Sequence, residues 1–112
     1  MITILLPIKT VSEANVREHW AIRSKRARQH RHAARLNVMY HRPFIQLPVT
    51  ITLTRLGPRK LDSDNLAISF KHIRDGIADA IGVDDGDDKY LWKYEQEQAT
   101  QYGLRIEIRN GR

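Results

Sequence analysis

The sequence predicts a mixed α/β (α+β) domain in which helices pack on one small sheet. Three observations predict it. Val49 to Leu56 (VTITLTRL) alternates strictly and is rich in β-branched residues, which marks a strand. Leu66, Phe70, Ile73, Ile77 and Ile81 fall on one face at helical spacing, a buried stripe. The 112-residue length suits one domain spanning residues 1–112.

The elements follow in order. Ile2 to Leu6 (ITILL) is short, β-branched and stopped by Pro7, so it reads as a strand. Ser12 to Asn15 looks like a helix start, without the Glu or Gln of a full capping box. Asn15 to Tyr40 suits one long helix, with Trp20, Ala27 and Ala34 repeating every seven residues and Val16, Ala33, Leu36 and Val38 nearby. Pro43 and Pro48 punctuate the next stretch, and Gly57-Pro58 ends the alternating strand. Asp64 is expected to cap a second helix that runs to Ile81 and stops at Gly82. Tyr90 to Glu97 and Leu104 to Ile108 read as a closing pair of strands joined near Gly103. The order is therefore strand, helix, strand, helix, strand, strand.

Composition narrows the function. Apolar residues are 41% and charged residues 29%, a globular balance. With no cysteine, disulfides and cysteine-based zinc sites are excluded. No apolar run reaches the roughly 18 residues of a membrane span. The apolar start lacks a basic leader and a cleavage site, which predicts a cytoplasmic protein. The net charge of +6 and pI near 10.0 favour polyanionic partners through counterion release.

Two acidic groups stand out against that basic background. In Asp62-Ser63-Asp64-Asn65, alternate residues of an extended segment point the same way, so Asp62 and Asp64 can present two carboxylates to one cation. Taken alone, the pair reads more simply as a helix cap at Asp64 and a turn residue at Asp62. In Asp84-Asp85-Gly86-Asp87-Asp88, four carboxylates within five residues repel one another unless solvated or given a cation. A solvated turn around Gly86 accounts for them equally, whereas an EF-hand loop lacks its ligand spacing and distal Glu. Asp64, Lys71 and Asp75 share one helix face, opposite the apolar stripe, and Ile68 sits among them. That helix spans roughly 25 Å, so the acidic loop must fold back to meet Asp62.

The cations are one-sided. Arg17, Arg23, Lys25, Arg26, Arg28, Arg31 and Arg35 share a stretch in which Glu18 is the one acid between Glu13 and Asp62, and Arg59-Lys60 leads directly into Asp62. Such residues suit phosphates without reading bases. His19, His30, His32 and His41 lack the spacing of a zinc helix.

Arg59-Lys60-Leu61-Asp62-Ser63-Asp64-Asn65-Leu66, then Arg74-Asp75-Gly76-Ile77, then Gly82-Val83-Asp84-Asp85 together resemble the RusA family of Holliday junction resolvases, often carried by phages and prophages. Asn15 and Arg17 resemble that family's N-terminal Asn/Arg element. The resemblance implies a small RusA-like fold acting as a homodimer, and magnesium-dependent hydrolysis of phosphodiesters at four-way DNA junctions, with manganese as a substitute. It implies Asp62, Asp64 and Asp85 as the metal-holding carboxylates and Lys71 as the active-site lysine. The family lysine usually follows the second Asp by four residues. That position here is Ile68, and Lys71 stands nearly one turn further on, a shift of roughly 5 Å. Asn15, Arg17, Arg23, Lys25, Arg26, Arg28, Arg59 and Lys60 are the expected DNA-binding residues. The rival expectation is a non-catalytic, basic nucleic-acid-binding protein.

Overall fold

A computed structural model describes residues 1–12 and 19–112. The expected element at Asn15 and Arg17 lies outside the described residues. The chain forms β1 (Ile2–Leu6), α1 (Trp20–Tyr40), a 3-10 turn (Arg42–Phe44), β2 (Val49–Gly57), α2 (Ser63–Ser69), α3 (Lys71–Ile81), β3 (Tyr90–Gln98) and β4 (Gly103–Asn110). The fold is mixed α+β, with three helices packed on a four-stranded sheet of order β1-β4-β2-β3.

β2 is central because it is the strand with the most β-branched surface to bury. It runs parallel to β3, with Ile51 opposite Trp92, and antiparallel to β4, with Leu53 opposite Ile106. Alternation then sorts the faces. Ile4, Val49, Ile51, Leu53, Leu104, Ile106 and Ile108 enter the core with Phe70, Ile73, Ile77 and Ile81. The other face carries Thr50, Thr52, Lys93, Glu95, Glu107 and Arg109 around a shallow polar depression.

Contrary to the closing pair that the sequence predicts, β3 and β4 do not pair with each other but flank β2 on either side. The α2–α3 connection returns β3 parallel to β2, as a crossover through helices does. The link 99–102 then carries the chain past the end of β2 to its other edge.

The second helix is two. The chain breaks at Phe70 (φ −96°, ψ 1°) between α2 and α3. Ser69 Oγ donates to the Leu66 carbonyl at 2.7 Å, competing with the helical ladder at that point. The apolar stripe survives the break: Leu66, Phe70, Ile73, Ile77 and Ile81 are all buried. Gly82 ends α3 at φ 86°, a left-handed conformation that costs an L side chain strain.

α1 packs mainly on α3. A Cβ on Gly76 would lie 2.2 Å from the Arg31 carbonyl oxygen and 2.9 Å from Ala34 Cβ, so the two helices touch backbone to backbone there. Such a narrow contact buries only Ala34 and Val38 fully. Trp20 and Leu36, part of the periodic pattern that marked the helix, are 71% and 52% exposed. Among the described residues, no helix is long and apolar enough to cross a membrane.

Candidate functional site

β1 and β2 both run antiparallel to β4, and Leu6 and Arg55 both lie opposite Leu104. Their carboxyl ends therefore open at the same end of the sheet. Buried Arg55 ties the two exits together, donating from Nε to the Thr10 carbonyl (3.4 Å) and from Nη1 to the Arg59 carbonyl (2.8 Å). Leu61 is fixed from β3, its N–H donating to Gln96 Oε1 (3.0 Å) and its carbonyl accepting from Gln96 Nε2 (2.8 Å).

These anchors set the D-x-D-N corner. Asp62, not Asp64, is the helix cap: its backbone is extended and its Oδ1 accepts from the Asn65 N–H at 2.9 Å. A cap carboxylate reaches the amide three residues on, and Asp62 stands three before Asn65. Its Oδ2 accepts from Asn65 Nδ2 at 3.0 Å, and Asn65 Oδ1 accepts from buried Ser12 Oγ at 2.6 Å. The Asp62 carboxylate is thus oriented through Asn65 from a segment far away in sequence. Asp64 is exposed in the first turn of α2, where the helix dipole favours an anion, and has no hydrogen-bond partner among the described residues. Arg59 and Lys60 are exposed just before this corner.

The acidic loop is organised by its own backbone. Asp84 Oδ2 accepts from the Gly86 N–H (3.1 Å) and Asp87 Oδ1 from the Lys89 N–H (2.9 Å). The Lys89 amide is the main reason the Asp87 carboxyl sits below the usual aspartate range. Asp85 behaves differently. Arg74 Nη2 lies 3.1 Å from its Oδ2 and donates to its carbonyl at 3.2 Å, while Trp92 Nε1 donates to the same carbonyl at 2.9 Å. Arg74 also donates to the Tyr94 hydroxyl (2.6 Å) and lies 4.7 Å from the Trp92 ring centroid. Burial pushes the Tyr94 phenol above its ordinary value. Sequence reasoning missed Arg74 as an anchor. The signal was present in the alternation of Tyr90, Trp92 and Tyr94 on β3, an aromatic row that an inward-facing arginine can stack on.

The loop therefore folds back along β3, but part of the way. Asp85 is anchored at Trp92 and the Asp62 corner at Gln96, four residues apart on β3, a rise of roughly 13 Å. Asp62 and Asp64 share a corner; Asp85 lies further along the row and is engaged by Arg74. Among the described residues no three His, Cys, Asp or Glu side chains converge as a metal-binding group. Magnesium takes one or two carboxylates and completes its shell with water and phosphate. Because α2 begins at Ser63, Asp62 is extended and Asp64 helical, so the alternation expected of an extended segment does not hold. Both carboxylates are nonetheless exposed at the start of α2 and are of the type magnesium takes.

Ile68 and Lys71 line the same groove, about 370 Å³, between α2–α3 and the first turns of α1, so both positions serve one surface. Lys71 also pairs with Asp75 at 3.8 Å. The α1 cations fan out rather than forming one stripe. Arg23 borders the Lys71 groove, Lys25 and Arg26 border a depression against Pro7 and Ile8, and Arg28 and Arg35 border a third beside His32. Arg31 serves the fold instead: its Nε and Nη2 grip Asp79 at 2.6 and 2.9 Å, which holds the Asp79 carboxyl below its usual range.

The described fold and corner thus define an α+β domain with an exposed carboxylate pair beside cations. No protein-family model matches the chain. An uncharacterized protein of Xylella fastidiosa (strain Temecula1 / ATCC 700964) is 41% identical over 96 residues, covering 75% of this chain and 59% of that protein. The chain spans less than two thirds of the length of the relative it matches.

Proposed function

We propose that the protein is a magnesium-dependent endonuclease of RusA type that resolves four-way DNA junctions. The observation that carries the proposal is the Asp62–Asp64 corner, with one carboxylate oriented by Asn65, the other exposed and unpartnered among the described residues, and Arg59 and Lys60 beside them. Hydrolysis adds water across one P–O bond of the backbone. A cation held by Asp62 and Asp64 would activate that water and offset charge on the phosphate. Asn65 keeps the Asp62 carboxylate aimed, as outer partners of ligating groups do. Arg59 and Lys60 hold flanking phosphates. Lys71, from its groove, contributes positive charge near the scissile strand. Asp85 joins the site on this reading only by leaving Arg74.

A homodimer belongs to the proposal, because paired cuts across a junction need two sites in symmetric arrangement. Leu36, Met39, Tyr40 and Phe44, all exposed at one end of α1 and the turn after it, give such a dimer apolar surface. The engagement of Asp85 by Arg74 favours a second reading, a basic DNA-binding protein without catalysis.

The deciding experiment incubates purified protein with a four-way junction, with and without magnesium. Paired nicks that need the metal support the nuclease. Junction binding with no nicks in magnesium or manganese supports the second reading.

A further inference from the structure

We propose that the groove between the first turns of α1 and the α2–α3 corner holds one unpaired nucleobase against Trp20, with the adjoining phosphate on Lys71 and Arg23. The inference deepens the DNA-binding reading above and rests on it, but not on catalysis.

Trp20 is 71% exposed, an unusual state for so large an aromatic surface. Its ring lies 5.4 Å from that of His19, tilted by 35°, so a second ring backs it. Ala27, about two turns further along α1, is small and leaves the groove open, while Ile68, 39% exposed, forms the opposite apolar wall. The groove, about 370 Å³, falls in the range that accepts a small planar ligand. Its chemistry separates a base from an apolar side chain of a protein partner. Arg23 and Lys71 stand on opposite walls, the Lys71 side chain is 70% exposed, and no carboxylate lines the groove among the described residues. An aromatic floor flanked by cations is the pattern that stacks a base and neutralises its phosphate. A paired base, stacked within a duplex, cannot enter. The groove would therefore select strand openings, as at the centre of a junction, while the α1 cations bind any duplex.

The test uses the full chain with Trp20→Ala and Trp20→Phe, a mixed-sequence single-stranded oligonucleotide, and a blunt duplex of the same sequence. Affinities are read by fluorescence anisotropy over a range of salt. Trp20→Ala should weaken single-strand binding about tenfold, leave duplex binding unchanged, and leave the salt slope of both unchanged, because no charge is removed. Trp20→Phe should retain most of the single-strand affinity. Unchanged single-strand affinity in Trp20→Ala, or an equal loss on duplex, overturns the inference while the DNA-binding reading stands. So does sedimentation showing that Trp20→Ala dissolves a dimer formed by the unsubstituted chain, which would make the groove an interface between copies. If the unsubstituted chain binds neither nucleic acid, the inference and the reading beneath it fall together. A Trp20-dependent single-strand preference in a protein that cuts nothing would uphold the inference and sink the nuclease.

Discussion

Arg74 and Asp85 are joined twice, once through the Asp85 carboxylate at 3.1 Å and once through its carbonyl at 3.2 Å. One guanidinium thus fixes both the backbone and the side chain of the acidic loop, and it does so against the Trp92 ring. Replacing Arg74 with Gln leaves the Asp85 carbonyl and the Tyr94 hydroxyl without their charged donor, a loss of about 2 kcal/mol. Lys should not restore it, since an ammonium cannot span three acceptors with a planar fork. Urea unfolding of the two variants checks this, and equal midpoints for Arg74→Lys and the parent chain would refute it.

The carboxylate corner gives a second expectation. Asp62→Asn and Asp64→Asn should each lower junction cleavage by at least about 100-fold, the scale of losing one electrostatic catalytic group, and spare DNA binding. Asp85→Asn should lower cleavage as well, and it should also lower stability, because it breaks the Arg74 pair. Near-normal nicking by all three variants would remove the metal assignment. A loss confined to Asp62 and Asp64 would show that Asp85 serves the loop and not the chemistry.

Gly76 sets the α1–α3 distance. Gly76→Ala places a methyl 2.2 Å from the Arg31 carbonyl oxygen, with no flexible side chain to yield, so the helices must separate. Overpacking of this kind costs about 1–3 kcal/mol. The expected reading is a clearly lower melting temperature by circular dichroism. An unshifted melt would mean that α1 slides freely on α3.

Tyr90 offers a pH test. Its hydroxyl donates to the Val83 carbonyl at 2.8 Å, and burial pushes the phenol up to about 12. The folded value lies above the ordinary 10.0, so the stabilisation is complete below pH 10 and is lost as pH rises toward 12. Alkaline titration should show a late phenolate absorbance step that is smaller in Tyr90→Phe, since Tyr94 also ionises above its ordinary value. The same substitution should flatten the fall in stability over that interval.

The basic helix gives the last expectation. Lys25 and Arg28 are exposed on α1 and border different depressions. Changing both to Ala should weaken binding of junctions and plain duplex alike. It should also reduce the log–log salt slope by nearly one unit for each phosphate no longer neutralised. Cutting by saturating enzyme should persist, because neither residue adjoins the carboxylate corner. An unchanged salt slope would move the DNA surface toward Arg59 and Lys60.

The fold class was readable because periodicity reports which face is buried. Ile73 and Ile77 on α3, and Ile51 and Leu53 on β2, lie in the core where their spacing put them. Partnership was not readable, because alternation in Tyr90 to Glu97 states that a strand has an inner face and not which strand lies beside it. The helix break at Phe70 was hidden for a similar reason: the apolar stripe runs through it unbroken, and the hydroxyl of Ser69 makes the difference locally. At the candidate site, the carboxylates of Asp62 and Asp64 were visible as a pattern, and their shared corner follows from adjacency. The Ser12–Asn65 bond and the Arg74 clamp depend on distant segments meeting, which spacing along the chain does not encode.

The strand order also dictates when the molecule can be finished. Among the described residues β1 has a single neighbour, β4, and Ile2 lies opposite Ile108. During synthesis at about 5–20 residues per second, the first strand emerges on the order of ten seconds before the strand that receives it. Through that interval Ile2, Ile4 and Leu6 have no ladder to join. The pairing is among the most non-local the chain can make, so closure of this edge belongs to the end of folding. A chain interrupted before Gly103 would lose its first strand along with its last.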